Sequence, residues 1–300
     1  RRKIRLWLKI LQEKDFSICA NLFKKLQIGG MREIFVLDIV SRLAINWLET
    51  LSRVICEDLP VEMLTKGAHK LQVSEQHNRE VRTRLTDRKS HTVITATEAN
   101  DAATWCQRFV MPAFGAMLSR VLPLKYQPVA MTILNCVANK RLELPTQLLS
   151  LFHDNPLVDS MDPGMAELKS QYKGTSENND LLDSGSPYLK NVSNMMQGIL
   201  HYTSSLIHAG KQMFVDDLCE AIISKGLKAK QKLAPKIFIT SKISSDDSSR
   251  LLSVTFSEPQ ATKNDVGTIA ALLRLCVAIN RVSMPSFCAM SSYEKSSEFL

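Results

Sequence analysis

Along "REIFVLDIVSRLAINWLETLSRVICEDL" (32 to 59) apolar positions recur at helical spacing after a short β-branched opening, so the first ninety residues are expected to be mostly helical. Gly29 and Gly30 interrupt the basic stretch before it. The period then changes. "SHTVITATEA" (90 to 99) alternates and is rich in Thr, Val and Ile, which predicts a strand whose downstream end meets Asp101. After it "TWCQRFVMPAFGAMLSRVL" (104 to 122) returns to a helical pattern.

Residues 154 to 193 lose both periods. They are dense in Asp, Asn, Gly, Ser and Pro, and predict a long surface connection. From Met195 to about Leu227 the helical spacing resumes. "PKIFITSKI" (235 to 243) and "RLLSVTF" (250 to 256) read as two strands facing each other across "SSDDSS", a hairpin with an acidic pair at its tip. A last helix is expected from Asn264 to Arg281, ahead of a serine-rich end.

With 300 residues and 45% hydrophobic content the chain has ample material for a packed core in one large domain or two small ones. Its formal charge of +8 favours a polyanionic partner. Seven scattered cysteines form no CxxC pair and none has zinc-ligand spacing to a histidine, which argues against a structural metal knot and suits a reducing compartment. No apolar run approaches the roughly 20 residues of a membrane span, and the start "RRKIRLWLKIL" lacks the features of a signal peptide. The absence of an initial methionine suggests a piece of a longer chain.

The candidate chemistry lies at the hairpin tip. Asp246 and Asp247 are adjacent, and neighbouring carboxylates resist joint ionisation unless a cation is shared between them. A solvated turn is the bland alternative. Asp101 would supply a third carboxylate if its strand lies beside the hairpin; taken alone it is better read as a helix N-cap, since a helix is expected to follow it. Such a set suits magnesium, which takes oxygen ligands, and two ions about 3.5–4 Å apart stabilise both the attacking and the leaving oxygen in nucleotidyl transfer.

Four stretches in order carry a resemblance. "KLQIGGMREIFVLD" (25 to 38), "NDAATWCQ" (100 to 107), "MMQGILHYTSSLIH" (195 to 208) and "SSDDSS" (244 to 249) resemble motifs F, A, B and C of the RNA-dependent RNA polymerases of segmented negative-strand viruses. The likeness is greatest to the L proteins of phenuiviruses, the group that includes the phleboviruses. "SYEKSSEF" (292 to 299) resembles motif D. The likeness implies that Lys25 and Arg32 grip the incoming triphosphate, Arg32 with a planar fork. It implies that Asp101, Asp246 and Asp247 hold two Mg2+ or Mn2+ ions, with Asp246 carrying most of the binding.

Further roles follow from the same resemblance. Trp105, implied to bind nucleotide or template, keeps the motif A spacing of four after Asp101, although Thr104 replaces the usual lysine. Gln197 and Gly198 match the motif B loop, where glycine lets the backbone move past template and nucleotide. Ser204 and Ser205 either offer hydroxyls to the nucleotide or face the core. Ser245 belongs to motif C, and Lys295 matches the general acid toward pyrophosphate. His201 and His208, seven apart on one helical face, are read as packing or template contacts rather than a metal site.

The fold expected from these readings is an α+β right-hand polymerase palm with partial fingers, a small antiparallel sheet backed by helices. Residues 1 to 90 would form the fingers with motif F, and 91 to 300 the palm with motifs A to D, with the thumb beyond the chain. The implied partners are RNA template and product, nucleoside triphosphates, viral nucleoprotein-coated RNA and the remainder of the polymerase, in the host cytoplasm. A non-enzymatic basic RNA-binding module and a metal-dependent phosphodiesterase are the alternatives.

Overall fold

The structure, a computed structural model, describes all residues except 1, 14–16, 28–29, 104, 155–161, 288–289, 292–296 and 300. The helices are α1 (Arg2–Glu13), α2 (Ile39–Asp58), α3 (Lys70–Asp87), α4 (Trp105–Arg108), α5 (Met111–Val121), α6 (Gln127–Ala138), α7 (Thr146–Asp154), α8 (Pro163–Lys173), α9 (His201–Leu227) and α10 (Lys263–Phe287). The strands are β1 (Ile18–Gln27), β2 (Gly30–Leu37), β3 (His91–Ala103), β4 (Lys140–Glu143), β5 (Tyr188–Asn191), β6 (Lys236–Ser244), β7 (Asp247–Ser257), β8 (Met290–Ser291) and β9 (Ser297–Phe299). They divide into two compact units, Arg1–Leu48 with Phe109–Leu200 and Glu49–Arg108 with His201–Leu300.

In the first unit β1 and β2 form an antiparallel hairpin that pairs Gln27 with Gly30, in a sheet of order β2-β1-β4-β5. Helices α1, α2 and α3 make the first ninety residues mostly helical, as expected, but this hairpin was not foreseen. Ile18 and Ala20 turn inward at a spacing of two, and the β-branched opening of "REIFVL" belongs to a whole strand. The presumed long connection also contains structure. Asp162 accepts a hydrogen bond from the Gly164 N–H (2.8 Å), Pro163 opens α8, and Gly174 closes it with φ +70°. The residues that suggested a loop are that helix's start and stop signals.

The second unit is built on an antiparallel sheet of order β6-β7-β3-β8, with β9 also on β3. Alternation decides its faces. Ala96, Leu252, Val254 and Phe256 pack on one face against Val215, Cys219 and Ile223 of α9 and Ile269, Leu273 and Cys276 of α10. These residues recur every second position in the strands and every third or fourth in the helices, so each element presents one apolar face. Each buried Val, Leu, Ile or Phe among them contributes about 1.5–3 kcal/mol. On the opposite face α3 is fixed by His77, whose ring nitrogens bond Thr240 Oγ1 (2.8 Å) and Ser253 Oγ (2.9 Å).

Lys263–Ser283 of α10 is, among the described residues, long and apolar enough by length and composition to cross a membrane, where the sequence reading found no such stretch. The apolar content has another use here, since one side of this helix closes the core and Asn280 joins a buried polar network.

Candidate active site

β6 and β7 turn through Ser245 and Asp246, with Ser244 opposite Asp247. Asp247 is in turn opposite Asp101 on β3. Residues so paired project from the same sheet face with Cβ atoms about 4.5–5.5 Å apart, so two carboxylates distant in sequence share one rung. They open on a cavity of about 340 Å³ whose wall includes Lys70, Lys242 and Ser244. Lys70 Nζ donates to Ser244 Oγ at 3.5 Å. No local pattern marked either lysine; one begins a helix and the other lies within a strand.

Asp246 stands one residue beyond the rung, partly exposed on the turn. Among the described residues no group of three or more His, Cys, Asp or Glu side chains is arranged as a preformed metal site. The donors still fit a hard cation. Asp101 and Asp247 supply carboxylate oxygens on the cavity side of the sheet. Magnesium is commonly held by only one or two carboxylates, with water and substrate phosphate completing its shell.

The turn itself is strained. Ser245 has φ +61° and its neighbour Asp246 has negative φ, the arrangement of a two-residue hairpin whose first position prefers glycine. A side chain there costs about 1–2 kcal/mol. Its backbone is bonded on both sides: the Ser245 carbonyl accepts from His208 Nδ1 (2.7 Å) and its N–H donates to Ser205 Oγ (3.4 Å). Ser205 Oγ donates to Glu62 Oε1 (2.9 Å), a fully buried carboxylate that also accepts from the Leu64 and Thr65 N–H groups. Burial, helped by Lys211, pushes His208 down to about 3, so the ring is neutral.

These contacts involve several of the residues singled out in the sequence. Ser204 and Ser205 are buried, and of the two roles open to them the structure shows the inward one: Ser204 Oγ donates to the His201 carbonyl and receives Trp105 Nε1–H at 3.3 Å. Trp105, expected at the template or nucleotide, is 4% exposed and lies against the His208 ring, centroids 5.2 Å apart. His201 is exposed and His208 is buried, so the two do not act as a pair. Ser245 is 6% exposed and presents its backbone, not its hydroxyl, to these partners. The start of α9 is capped from α2, since Glu49 accepts the N–H groups of Tyr202 (2.7 Å) and Thr203 (3.0 Å).

On the far side of the rung lies a buried ionic network. Arg250, opposite Glu98 on the ladder, donates Nε–H to Glu98 Oε2 at 2.6 Å, and its remaining nitrogens reach the Cys276 carbonyl (2.7 Å) and Asp216 (3.4 Å). Asn280 Nδ2 donates to Glu98 Oε1 (2.8 Å) and its Oδ1 accepts from buried Lys211. Alternation places Glu98 and Arg250 on the helix-backed face and Asp101 and Asp247 on the other.

In the first unit Lys25 and Arg32 are register partners in the β1–β2 hairpin. Lys295 and Thr104 lie outside the described residues. Gln197 and Gly198 are exposed on an irregular segment in which Asn194, Met196 and Gly198 all have positive φ. Its entry is pinned by Lys140, a buried ammonium that donates to the carbonyls of Asn194 (2.9 Å) and Val137 (2.7 Å) and is pushed down to about 8 by burial. A Cβ on Gly198 would meet nothing within 4 Å, so its φ of +82° alone sets the penalty. Gly198→Ala is expected to lower the unfolding free energy by about 1 kcal/mol. Gly210→Ala in α9, where space is also open, should raise it by about 0.5–1 kcal/mol. Chemical-unfolding midpoints moving in opposite directions check the pair.

The model of the bunyavirus RNA-dependent RNA polymerase family matches residues 3–295. The chain belongs to that family. Among curated bunyavirus polymerases it is 34% identical to the RNA-directed RNA polymerase L of Rice stripe virus over 277 residues, covering 90% of this chain and 9% of that protein. It is 29% identical to the L polymerase of Toscana virus over 244 residues (81% and 11%) and 30% identical to that of Rift Valley fever virus strain ZH-548 M12 over 232 residues (77% and 10%). The chain thus spans about a tenth of the length of the curated relatives it matches.

Proposed function

We propose that this chain is the catalytic core of a template-directed RNA polymerase serving viral genome replication and transcription, with the antiparallel sheet of the second unit as its palm and the first unit as fingers. The observation that carries the reading is the rung shared by Asp101 and Asp247 at a cavity that Lys70 and Lys242 also line, in a member of this polymerase family. The substrates are nucleoside triphosphates and an RNA template, reached in the infected cell as nucleoprotein-coated RNA in the host cytoplasm.

In the reaction the 3′ oxygen of the growing strand forms a bond to the α-phosphorus, the bond to the β-phosphate oxygen breaks, and pyrophosphate leaves. Asp101 and Asp247, with Asp246 from the turn, would hold two Mg2+ or Mn2+ ions. When bound, such ions neutralise developing charge on the attacking and leaving oxygens. Lys70 and Lys242 flank the carboxylates and attract the triphosphate into the cavity. Lys25 and Arg32 grip its phosphates, Gln197 and Gly198 track the template, and Lys295 delivers a proton to pyrophosphate. Positioning and charge complementarity supply most of the acceleration.

The test is incorporation of labelled nucleotides on an RNA template by the full-length protein. Incorporation is expected with magnesium or manganese, to vanish with a chelator, and to drop sharply in Asp246→Asn. Equal incorporation by wild type and Asp246→Asn would remove the reading, and binding of RNA without incorporation would favour a non-enzymatic module.

A further inference from the structure

The turn that carries Asp246 and Asp247 is not self-supporting. Its first residue adopts a backbone conformation that serine disfavours, and it presents two like charges next to a third on β3. Both features favour opening the turn, so something outside the hairpin must hold it. We propose that His208 and Ser205 are positioning residues for nucleotidyl transfer, gripping the Ser245 carbonyl and N–H from one face of α9 and so fixing the metal-binding turn.

The two residues are three apart on a helix and therefore neighbours on its surface. A carbonyl only accepts, so His208 carries its proton on Nδ1 and donates it to Ser245 at 2.7 Å. The ring is locked in that direction by Trp105, itself tied to Ser204 on the same helix. Ser205 Oγ accepts the Ser245 N–H and donates its own O–H to Glu62 Oε1. Glu62 in turn is held by the segment bonded to β6 through Met63 N–H to the Ile243 carbonyl (2.7 Å) and Ile243 N–H to the Val61 carbonyl (2.8 Å). Every group in this chain is buried, so no solvent competes for the bonds.

The inference rests on the polymerase reading, and single-nucleotide addition by the full-length protein separates the two. His208→Leu removes the donor; His208→Asn keeps an N–H at the same number of bonds from the backbone. The leucine variant is expected to lose kcat by on the order of 10- to 100-fold, with the nucleotide KM little changed and the asparagine variant largely restored. Ser245→Gly accepts positive φ without penalty, so in its background His208→Leu should have much less effect on kcat. If His208→Leu yields no soluble protein, recovery of soluble, active enzyme by adding Ser245→Gly supports the clamp and failure to recover overturns it. Equal losses in the leucine and asparagine variants, or strictly additive effects with Ser245→Gly, also overturn it. With Asp101→Asn inactive and His208→Leu unimpaired only the clamp fails; with Asp101→Asn fully active the polymerase reading fails and the clamp with it.

Discussion

Asp101→Asn and Asp247→Asn are each expected to abolish nucleotide addition, with losses on the order of a thousandfold or more, while folded stability does not fall. On the proposed role, several kcal/mol of transition-state charge stabilisation would depend on these carboxylates, and each 1.36 kcal/mol, roughly, is a factor of ten in rate. The amide keeps the shape and much of the hydrogen-bonding capacity of the carboxylate but removes one of two like charges directly opposite on the ladder. Single-turnover incorporation with magnesium, paired with an unfolding midpoint, reads both quantities on the same preparations. Normal incorporation would refute a metal role for the rung, and loss of activity accompanied by a lowered midpoint would mean that these residues support the fold instead.

The largest effect on stability is expected on the other face of the same strands. Arg250→Met leaves Glu98 charged and buried without its main partner, and losses of about 3–5 kcal/mol are usual for such a break. Glu98→Leu combined with Arg250→Met should be less damaging than Arg250→Met alone, because the uncompensated charge is gone. Arg250→Lys should not rescue, since a single ammonium cannot reach Glu98, Asp216 and the Cys276 carbonyl together. Hydrogen exchange of the β3 and β7 amides in the full-length protein measures the opening free energy. Unchanged protection in Arg250→Met would show that the ion pair adds nothing to the fold.

The parts of this arrangement legible in the sequence were those governed by local period. Alternation through "PKIFITSKI" and "RLLSVTF" located the acidic hairpin, although the strands run on through the serines and leave only Ser245 and Asp246 in the turn. "SHTVITATEA" located β3, but the strand continues to Ala103, so Asp101 is a strand residue and not a helix cap. Motif strings supplied the likeness to the family; they did not reveal which side chains face inward. Trp105 and Ser204 are an example, because the same letters serve for contact with a nucleotide or with each other.

What stayed hidden depends on pairing across long separations. Glu98 and Arg250 are 152 positions apart, and neither neighbourhood is unusual. Glu62 lies in "VEMLTKG", which looks like an ordinary polar connection until β6 arrives beside it. The β1–β2 hairpin was obscured because apolar residues on both faces of a strand can match a helical count. The Asp162-Pro163-Gly164 cluster misled for the converse reason, since helix starts and loops draw on the same residues.

The shared rung also restricts how this region can diverge. Side chains alternate along β3, so one inserted or deleted residue between His91 and Asp101 would reverse the strand's two sides. Glu98 would then face the cavity, and an aspartate would be driven into the hydrophobic layer beneath. Viral lineages can exchange individual letters along this strand, but a single-codon length change there should be missing from viable genomes.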